Sequence, residues 1–298
     1  MNISLILEQV FYHPFERKKI LPDWEDVQEW TNQSKDGHRV KGWAWYPQGS
    51  VGTAILCHGF TQSAFSGPVK KVALYLKDRG DLALVSLNFR SHGPSRDLHR
   101  FPPSFGEAEK WDIRAALEYA ESMNLPKPFV VIGFSLGAMA ASRITQQDGR
   151  VTAAFLIGPP YKAKHAIRVQ VKNKTLAPIH RIAPELIEKV LNRVYKNTRS
   201  KILNRSDVRK YNMSPPHRPF IGYWIGKRDE YGWELLYEKI YRKWYGGMSQ
   251  GALGELPGEV AGRRTWFVTS HCGHHVGRDE WPNCERVLVK FLAVVLSR

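Results

Sequence analysis

Residues 133–137 read Gly133-Phe134-Ser135-Leu136-Gly137, which is a G-x-S-x-G pattern. An apolar run at 128–132 precedes it, and a run of small residues at 138–142 follows it. A strand, a sharp turn and a helix in this order predict a nucleophile elbow, in which the turn lifts a serine hydroxyl clear of the backbone. The two glycines would remove Cβ atoms from the place where strand and helix meet. Ser135 is therefore predicted to be a nucleophile, and the rest of the chain should supply its partners.

Near-continuous apolar segments alternate with amphipathic ones on both sides of this pattern. The apolar segments predict strands at 40–46, 53–57, 82–87, 129–132, 151–157, 219–225 and 264–269. The amphipathic segments predict helices at 66–78, 107–123, 138–145, 233–244 and 285–296. This alternation is typical of an α/β fold with a mostly parallel central sheet and helices on both faces.

The segment 160–214 interrupts the alternation and carries most of the charge. The chain of 298 residues has a formal net charge of +16, and fourteen Lys and Arg against three acidic residues give +11 between 160 and 213. Within it, Ile187, Val190, Leu191 and Val194 have helical spacing. We predict a basic helical cap at 160–214, inserted between two parts of one α/β core at 1–159 and 215–298.

A serine hydroxyl is a poor nucleophile near neutral pH, so it needs a general base that a third group orients. The candidate for the orienting acid is Asp229, which comes directly after the predicted strand at 219–225. The carboxyl ends of parallel strands are where active sites assemble, so a carboxylate there can face the elbow. Glu230 is the neighbouring alternative, although Asp229 has the better spacing from the strand.

The candidate for the base lies after the last predicted strand, where three histidines occur within five residues. We favour His274, because Gly273 before it allows a tight loop, and His271 and His275 stay open as alternatives. An H-x-x-H-H run also suggests zinc, but the sequence has no companion cluster of ligands elsewhere. Neither a metal nor a cofactor is predicted.

An oxyanion hole requires two backbone N–H donors aimed at the developing negative charge. The first candidate is the N–H of Leu136, which follows the nucleophile at the start of a helix, where free amides and the helix dipole favour an anion. The second is the N–H of Phe60 in the loop His58-Gly59-Phe60-Thr61 after an early strand. The ring of His58 is expected to hold that loop rather than to react.

Composition limits the class of protein. A hydrophobic content of 43% is ample for a core, and the three cysteines, Cys57, Cys272 and Cys284, show no paired spacing. The cysteines therefore argue against a disulfide framework and fit a reducing compartment. The first residues lack the features of a signal peptide, and the sequence has no run of the roughly 18–20 apolar residues that a membrane helix needs. A cytoplasmic location is the expectation.

These residues together resemble the α/β-hydrolase superfamily over most of the chain outside the basic segment. The resemblance lies in His58-Gly59-Phe60, in the run 88–95, in Gly133–Gly137, in 226–229 and in Gly273-His274. In this family these positions supply the oxyanion loop, a structural loop, the elbow, the acid and the base. The chain order Ser135, Asp229, His274 is the order of that fold. Asn88 stands where members often have Asp, and we expect this to affect loop packing only.

The resemblance implies a serine hydrolase of carboxylic esters that works through an acyl-enzyme and acts on a small-molecule ester. Similar members are carboxylesterases, monoacylglycerol-lipase-like enzymes and thioesterases. The alternatives are an acyl thioesterase or acyltransferase with an anionic acyl donor, cleavage of a C–C bond, and a non-catalytic binding protein. The basic cap would be a solvated face, attract an anionic substrate, or contact an anionic membrane surface peripherally. No nucleic-acid-binding motif is present, so nucleic acid is not an expected partner.

Overall fold

The structure, a computed structural model, describes residues 21–60, 62–90, 92–95, 104–160, 219–226, 259–260, 263–270 and 281–297. Its strands are β1 (Gln28–Gln33), β2 (Arg39–Trp45), β3 (Thr53–Cys57), β4 (Ala83–Asn88), β5 (Phe129–Phe134), β6 (Val151–Ile157), β7 (Phe220–Gly226), β8 (Glu259–Val260) and β9 (Arg263–Ser270). Its helices are α1 (Gly67–Arg79), α2 (Glu109–Ser122), α3 (Leu136–Gln147) and α4 (Trp281–Leu296).

The strands form one sheet in the order β1-β2-β4-β3-β5-β6-β7-β9-β8. From β4 to β9 all neighbours are parallel, while β1, β2 and β8 join antiparallel at the two edges. The direction in which the chain crosses the sheet reverses at β3, which lies between β4 and β5. From β3 the chain moves to β4 on one side, whereas from β5 it moves to β6 on the other side. The crevice at such a reversal, outside the carboxyl ends of the strands, is where ligands bind in open α/β sheets. The loop after β3 and the loop after β5 both lie at this edge.

Helices cover both faces of the sheet. On one face α2 and α3 bury apolar side chains such as Ile113, Leu117 and Ile144 against the strands. On the other face α1 and α4 bury Val72, Leu288 and their neighbours. Strands β3, β4 and β5 are buried along their whole length, because both of their faces are covered. The predicted α/β architecture, a mostly parallel sheet between two layers of helices, is confirmed.

The boundaries differ from the predicted ones at several ends. Helix α3 begins at Leu136, directly after the elbow, and not at the predicted residue 138. Helix α4 begins at Trp281, four residues before the predicted start. Strand β1 was not predicted, because in its sequence QEWTNQ only Trp30 is fully buried. The Nε1 of Trp30 donates to the carbonyl oxygens of Trp43 and Ser86, both at 3.2 Å, which secures β1 on the sheet edge.

Residues 161–214 of the cap predicted at 160–214 lie outside the described residues, as does the predicted helix at 233–244. Of the helices that the structure describes, none combines the length and the apolar character that crossing a bilayer requires.

Candidate active site

Ser135 lies between the last residue of β5 and the first residue of α3, and its backbone is left-handed, with φ 48° and ψ −108°. Its N–H donates to the carbonyl oxygen of Ile157 on β6 at 2.9 Å, and its carbonyl oxygen accepts from the N–H of Met139 at 3.0 Å. A residue other than glycine rarely adopts such backbone dihedral angles. They cost about 1–3 kcal/mol and persist only where the surroundings enforce them. The half-buried Ser135 therefore occupies the sharp turn that the sequence predicts.

The glycines on either side of Ser135 leave no room for a side chain. A Cβ on Gly133 would lie 2.5 Å from the carbonyl oxygen of Gly137, across the turn. A Cβ on Gly137 would lie 2.3 Å from the carbonyl oxygen of Cys57 and 2.7 Å from that of His58. The first turn of α3 is thus packed directly on the backbone where β3 ends, which brings the elbow and the loop after β3 together.

The ring of His58 ties the loop after β3 to the loop after β4. Its Nε2 accepts from the backbone N–H of Phe89 at 3.1 Å, so the ring proton is on Nδ1, which lies 2.7 Å from the carbonyl oxygen of Gly59. Burial lowers the pKa of His58 from 6.5 to about 4, because the interior disfavours the charged ring. A neutral imidazole with both nitrogens hydrogen-bonded in this way supports the loop, as the sequence suggested.

A buried ion pair fixes the loop after β4. The backbone N–H of Arg90 donates to Asp112 Oδ2 at 2.9 Å, and its Nη2 donates to Oδ1 of the same carboxylate at 2.6 Å. Burial raises the pKa of Asp112, and the Arg90 guanidinium opposes that rise. The guanidinium also bonds Asp36. Breaking such a buried pair by removing one partner typically costs about 3–5 kcal/mol, so Arg90 holds Phe89 in place for its contact with His58.

Asn88, at the end of β4, bridges two further segments. Its Oδ1 accepts from the N–H of Ala64 at 2.9 Å, and its Nδ2 donates to the carbonyl oxygen of Lys41 at 3.3 Å. Both bonds join backbone of the surrounding loops and strands. The asparagine at this position therefore has a packing contact on each side, in line with the expectation that it affects loop packing.

The two candidate oxyanion donors belong to the segments that meet at the elbow. Leu136 is the first residue of α3, and Phe60 ends the described part of the loop after β3. That loop approaches the elbow backbone, since a Cβ on Gly59 would lie 3.5 Å from the carbonyl oxygen of Phe134. The ring of Phe60 is half-buried and contacts the rings of His92 and Phe105 at centroid distances of 5.6 and 5.9 Å.

The candidate acid and base lie outside the described residues, so their roles stay predictions. This holds for Asp229 and its alternative Glu230, and for His274 with its alternatives His271 and His275. The strands that lead to them are described: β7 ends at Gly226 and β9 ends at Ser270, and both run parallel to β5. The chain therefore leaves β7 and β9 at the same edge of the sheet as it leaves β5 at Ser135.

The segment 104–107, which packs beside this site, was not predicted from the sequence. Phe105 has φ 53° and Gly106 has φ 89°, and the buried side chains of Glu109 and Arg143 hydrogen-bond this segment. The signal in the sequence was weak, because a single glycine before a helix also occurs in ordinary turns. The contact with Arg143 joins residues that are 38 positions apart, which local patterns do not reveal.

The model of a family described as the alpha/beta hydrolase family matches residues 54–290, which is most of the chain. No curated protein sequence matches at a significant level.

Solved structures with similar folds include several esterases. The Pyrococcus furiosus esterase Pf2001 is 18% identical, with a TM-score of 0.70 over 93% of this chain and 97% of that one. Est1E from Butyrivibrio proteoclasticus, solved with ferulic acid bound, is 15% identical, with a TM-score of 0.60 over 90% of this chain and 100% of that one. The esterase EaEST from Exiguobacterium antarcticum is 16% identical, with a TM-score of 0.55 over 88% and 98%. At these identities the likeness establishes the fold.

Proposed function

Because the chain belongs to the alpha/beta hydrolase family, we propose that it is a serine hydrolase that cleaves carboxylic esters through an acyl-enzyme. The observation that carries the proposal is the conformation of Ser135. A half-buried serine with φ 48° at a strand–helix junction is strained, and its backbone hydrogen bonds with Ile157 and Met139 hold it in this conformation. Such a turn is the setting in which a serine hydroxyl is presented to a substrate.

In the proposed mechanism the Oγ of Ser135 attacks the acyl carbon, and its proton passes to His274. The carbonyl electron pair moves onto oxygen, where the N–H groups of Leu136 and Phe60 stabilise the negative charge. When the tetrahedral intermediate collapses, the bond to the alcohol oxygen breaks and His274 returns the proton to it. Water then attacks the acyl-enzyme by the same steps and releases the acid. Asp229 orients and stabilises the imidazolium throughout.

Two features of the described residues support this assignment of the oxyanion donors. Leu136 opens a helix of twelve residues, whose N-terminus favours an anion. The loop of Phe60 packs against the backbone of the elbow, and the hydrogen bond between His58 and Phe89 holds it there. The amides of the loop are therefore fixed before a substrate binds. Donors fixed in advance need no reorganisation during the reaction, and removing one typically lowers the rate by about 10²–10³.

Hydrolysis of p-nitrophenyl esters from C2 to C16 tests this function, with Ser135→Ala as the matched control. The wild type should release p-nitrophenol with turnover, and Ser135→Ala should lose nearly all of it. Absence of hydrolysis at every chain length would contradict the ester hydrolase and leave the other candidates, a thioesterase or acyltransferase and a non-catalytic binding protein on this fold. Equal activity in Ser135→Ala would exclude Ser135 as the nucleophile.

A second candidate is a thioesterase or acyltransferase that uses an anionic acyl donor, and the charge of the chain favours it. The segment 160–213 carries +11 of the net +16, and this field would raise the local concentration of a negatively charged substrate. For an acyl-CoA thioester, kcat/KM should fall as ionic strength rises, because salt screens the attraction. A neutral p-nitrophenyl ester serves as the control. A kcat/KM that responds equally for both substrates would contradict electrostatic recruitment.

The same charge would serve peripheral contact with an anionic membrane surface. Sedimentation with vesicles that contain phosphatidylserine, compared with neutral vesicles, separates the two ideas. Binding to the anionic vesicles with no salt effect on thioester turnover would assign the basic segment to the membrane rather than to the substrate.

A further inference from the structure

The amide of Phe60 can stabilise an oxyanion only if the loop that carries it is held at a fixed position relative to α3. The ring of Phe60 is half-buried, and its stacked neighbour is Phe105, with centroids 5.9 Å apart and an angle of 24° between the planes. The ring of His92 meets Phe60 edge-on at 5.6 Å. Phe105 is therefore one of the contacts that position this loop, together with the hydrogen-bonded ring of His58.

Phe105 is itself held in an unusual backbone conformation. Its φ is 53° and that of Gly106 is 89°, so two consecutive residues are in the left-handed region. A bulky aromatic residue adopts this region rarely, and it stays there only when the contacts around it leave no alternative. The ring is 4% exposed, so it is fixed inside the protein and not at its surface.

Two buried charged side chains hold this conformation by hydrogen bonds. The carboxylate of Glu109 accepts from the N–H of Ser104 and the N–H of Gly106, each at 2.7 Å, and also from the Ser104 hydroxyl. The Nη1 of Arg143 donates to the carbonyl oxygen of Phe105 at 2.6 Å. Glu109 is 0% and Arg143 1% exposed. Inside a protein, hydrogen bonds in which one partner is charged are stronger than those between neutral groups.

The contact partners connect Phe105 to the nucleophile helix. Arg143 lies on α3, which begins at Leu136. Gly106 packs on the same helix so closely that a Cβ would lie 2.9 Å from the N atom of Ala140. The segment 104–107 is thus attached to α3, and the ring of its Phe105 contacts the ring of Phe60.

We propose that Phe105 is a positioning residue for the oxyanion hole: with Arg143 and Glu109 it holds the Phe60 amide at a fixed distance from the Leu136 amide. This inference rests on the proposed function, since it assumes that these two amides bind the oxyanion. In this role Phe105 acts on the reaction through the ring of Phe60. Its replacement should therefore affect the transition state and leave binding of the ground-state ester unchanged.

The variant Phe105→Leu tests this, with Phe220→Leu as the matched control. Phe220 is also 4% exposed, and its ring stacks on Phe291 at 5.2 Å and 23°, but it lies at the start of β7, away from the carboxyl edge. Both variants lose one stacked ring from the core. In Phe105→Leu we expect kcat to fall about 10-fold, less than the loss of a whole donor, with KM within twofold. In Phe220→Leu both constants should match the wild type per folded molecule.

Inhibition by a trifluoromethyl ketone is a second measurement, which a change in core packing alone would not affect. Ser135 Oγ adds to its carbonyl carbon, the Ser135 proton goes to the general base, and the carbonyl electron pair becomes an oxyanion that needs the same two amides. Its inhibition constant should rise in Phe105→Leu by the factor by which kcat/KM falls, and should not change in Phe220→Leu. Should Phe105→Leu fail to fold, Arg143→Lys serves in the same comparison, because lysine cannot keep the guanidinium geometry.

The outcomes separate this inference from the proposed function. If kcat and ketone inhibition in Phe105→Leu equal those in Phe220→Leu, the positioning role is wrong while the ester hydrolase stands. A rise in KM with unchanged kcat would mean that Phe105 contacts the acyl group, and this too overturns the positioning role. A wild type that neither hydrolyses esters nor binds the ketone, or a Ser135→Ala variant that still does both, contradicts the proposed function itself.

Discussion

The Nε2 atom of His58 accepts a hydrogen bond from the backbone N–H of Phe89 at 3.1 Å, and this bond joins the loop after β3 to the loop after β4. The ring must be neutral to make it, because a protonated ring has no free lone pair at Nε2. The loop that carries the proposed oxyanion donor Phe60 is therefore held by a group whose charge depends on pH.

Because this bond needs a neutral ring, the free energy of unfolding should depend on pH through His58. Its pKa is about 4 in the folded chain against 6.5 ordinarily, so between these values the unfolded chain binds a proton that the folded chain does not. The stabilising effect is complete above pH 6.5 and declines as the pH falls towards 4. Between pH 7.5 and pH 5 the wild type should lose about 2 kcal/mol through this group.

Urea unfolding of the wild type and of His58→Asn at both pH values measures this. The stability difference between the two proteins should shrink by about 2 kcal/mol at pH 5, because asparagine does not titrate. The other titrating groups are common to both proteins and cancel in the difference. A difference that is the same at pH 7.5 and pH 5 would mean that His58 titrates normally in the folded chain.

Gly137→Ala should destabilise the protein strongly. The new Cβ would lie 2.3 Å from the carbonyl oxygen of Cys57, and backbone atoms at this place can move only if β3 and α3 separate. We expect a loss of about 3 kcal/mol or more in the free energy of unfolding, or no folded protein. Gly149→Ala is the control, since nothing lies within 4 Å of the new Cβ there. The control should be neutral or gain up to about 1 kcal/mol. Similar stabilities for the two variants would refute the close contact.

Replacing Ser135 by glycine should stabilise the chain relative to replacing it by alanine. Both changes remove the hydroxyl, but alanine keeps a Cβ at φ 48° while glycine adopts this region freely. After the greater entropy that glycine loses on folding is included, we expect Ser135→Gly to be more stable than Ser135→Ala by about 1–2 kcal/mol in urea unfolding. An alanine variant of equal or higher stability would show that the elbow is unstrained.

The proposed base predicts a difference among three neighbouring histidines. His274→Ala should lower kcat for p-nitrophenyl esters by about 10³-fold or more, because no other group would take the Ser135 proton. His271→Ala and His275→Ala serve as its controls and should keep kcat within a few fold. A large loss in one of these two, with His274→Ala still active, would move the role of the base to that residue.

Much of the fold was predictable because it depends on local patterns. Strands such as β5 and β6 are apolar along nearly all of their length, and the elbow has a defined spacing of two glycines and a serine. Strand β1 was not predictable in this way, because one buried tryptophan in a polar hexapeptide gives no alternation. Its position depends on the distant carbonyl groups of Trp43 and Ser86.

The candidate site likewise has one part that the sequence predicts and one part that it does not. The pattern around Ser135 and the loop His58-Gly59-Phe60 could be identified from the sequence, because each motif is short and continuous. The support given by Phe105 could not, because Arg143 reaches it from a helix 38 residues later in the chain. The left-handed φ of 53° at Phe105 follows from those tertiary contacts and contradicts the usual preference of phenylalanine.

Labelling with a fluorophosphonate tests the role of Ser135 most directly. The Oγ of an activated serine displaces fluoride from phosphorus and leaves a stable phosphonyl ester, which mass spectrometry assigns to a residue. We predict one adduct per chain, on the peptide that contains Ser135, together with complete loss of ester hydrolysis and no adduct in Ser135→Ala. An adduct on another residue that abolishes activity, or full ester hydrolysis in protein that takes up no label, would contradict Ser135 as the nucleophile.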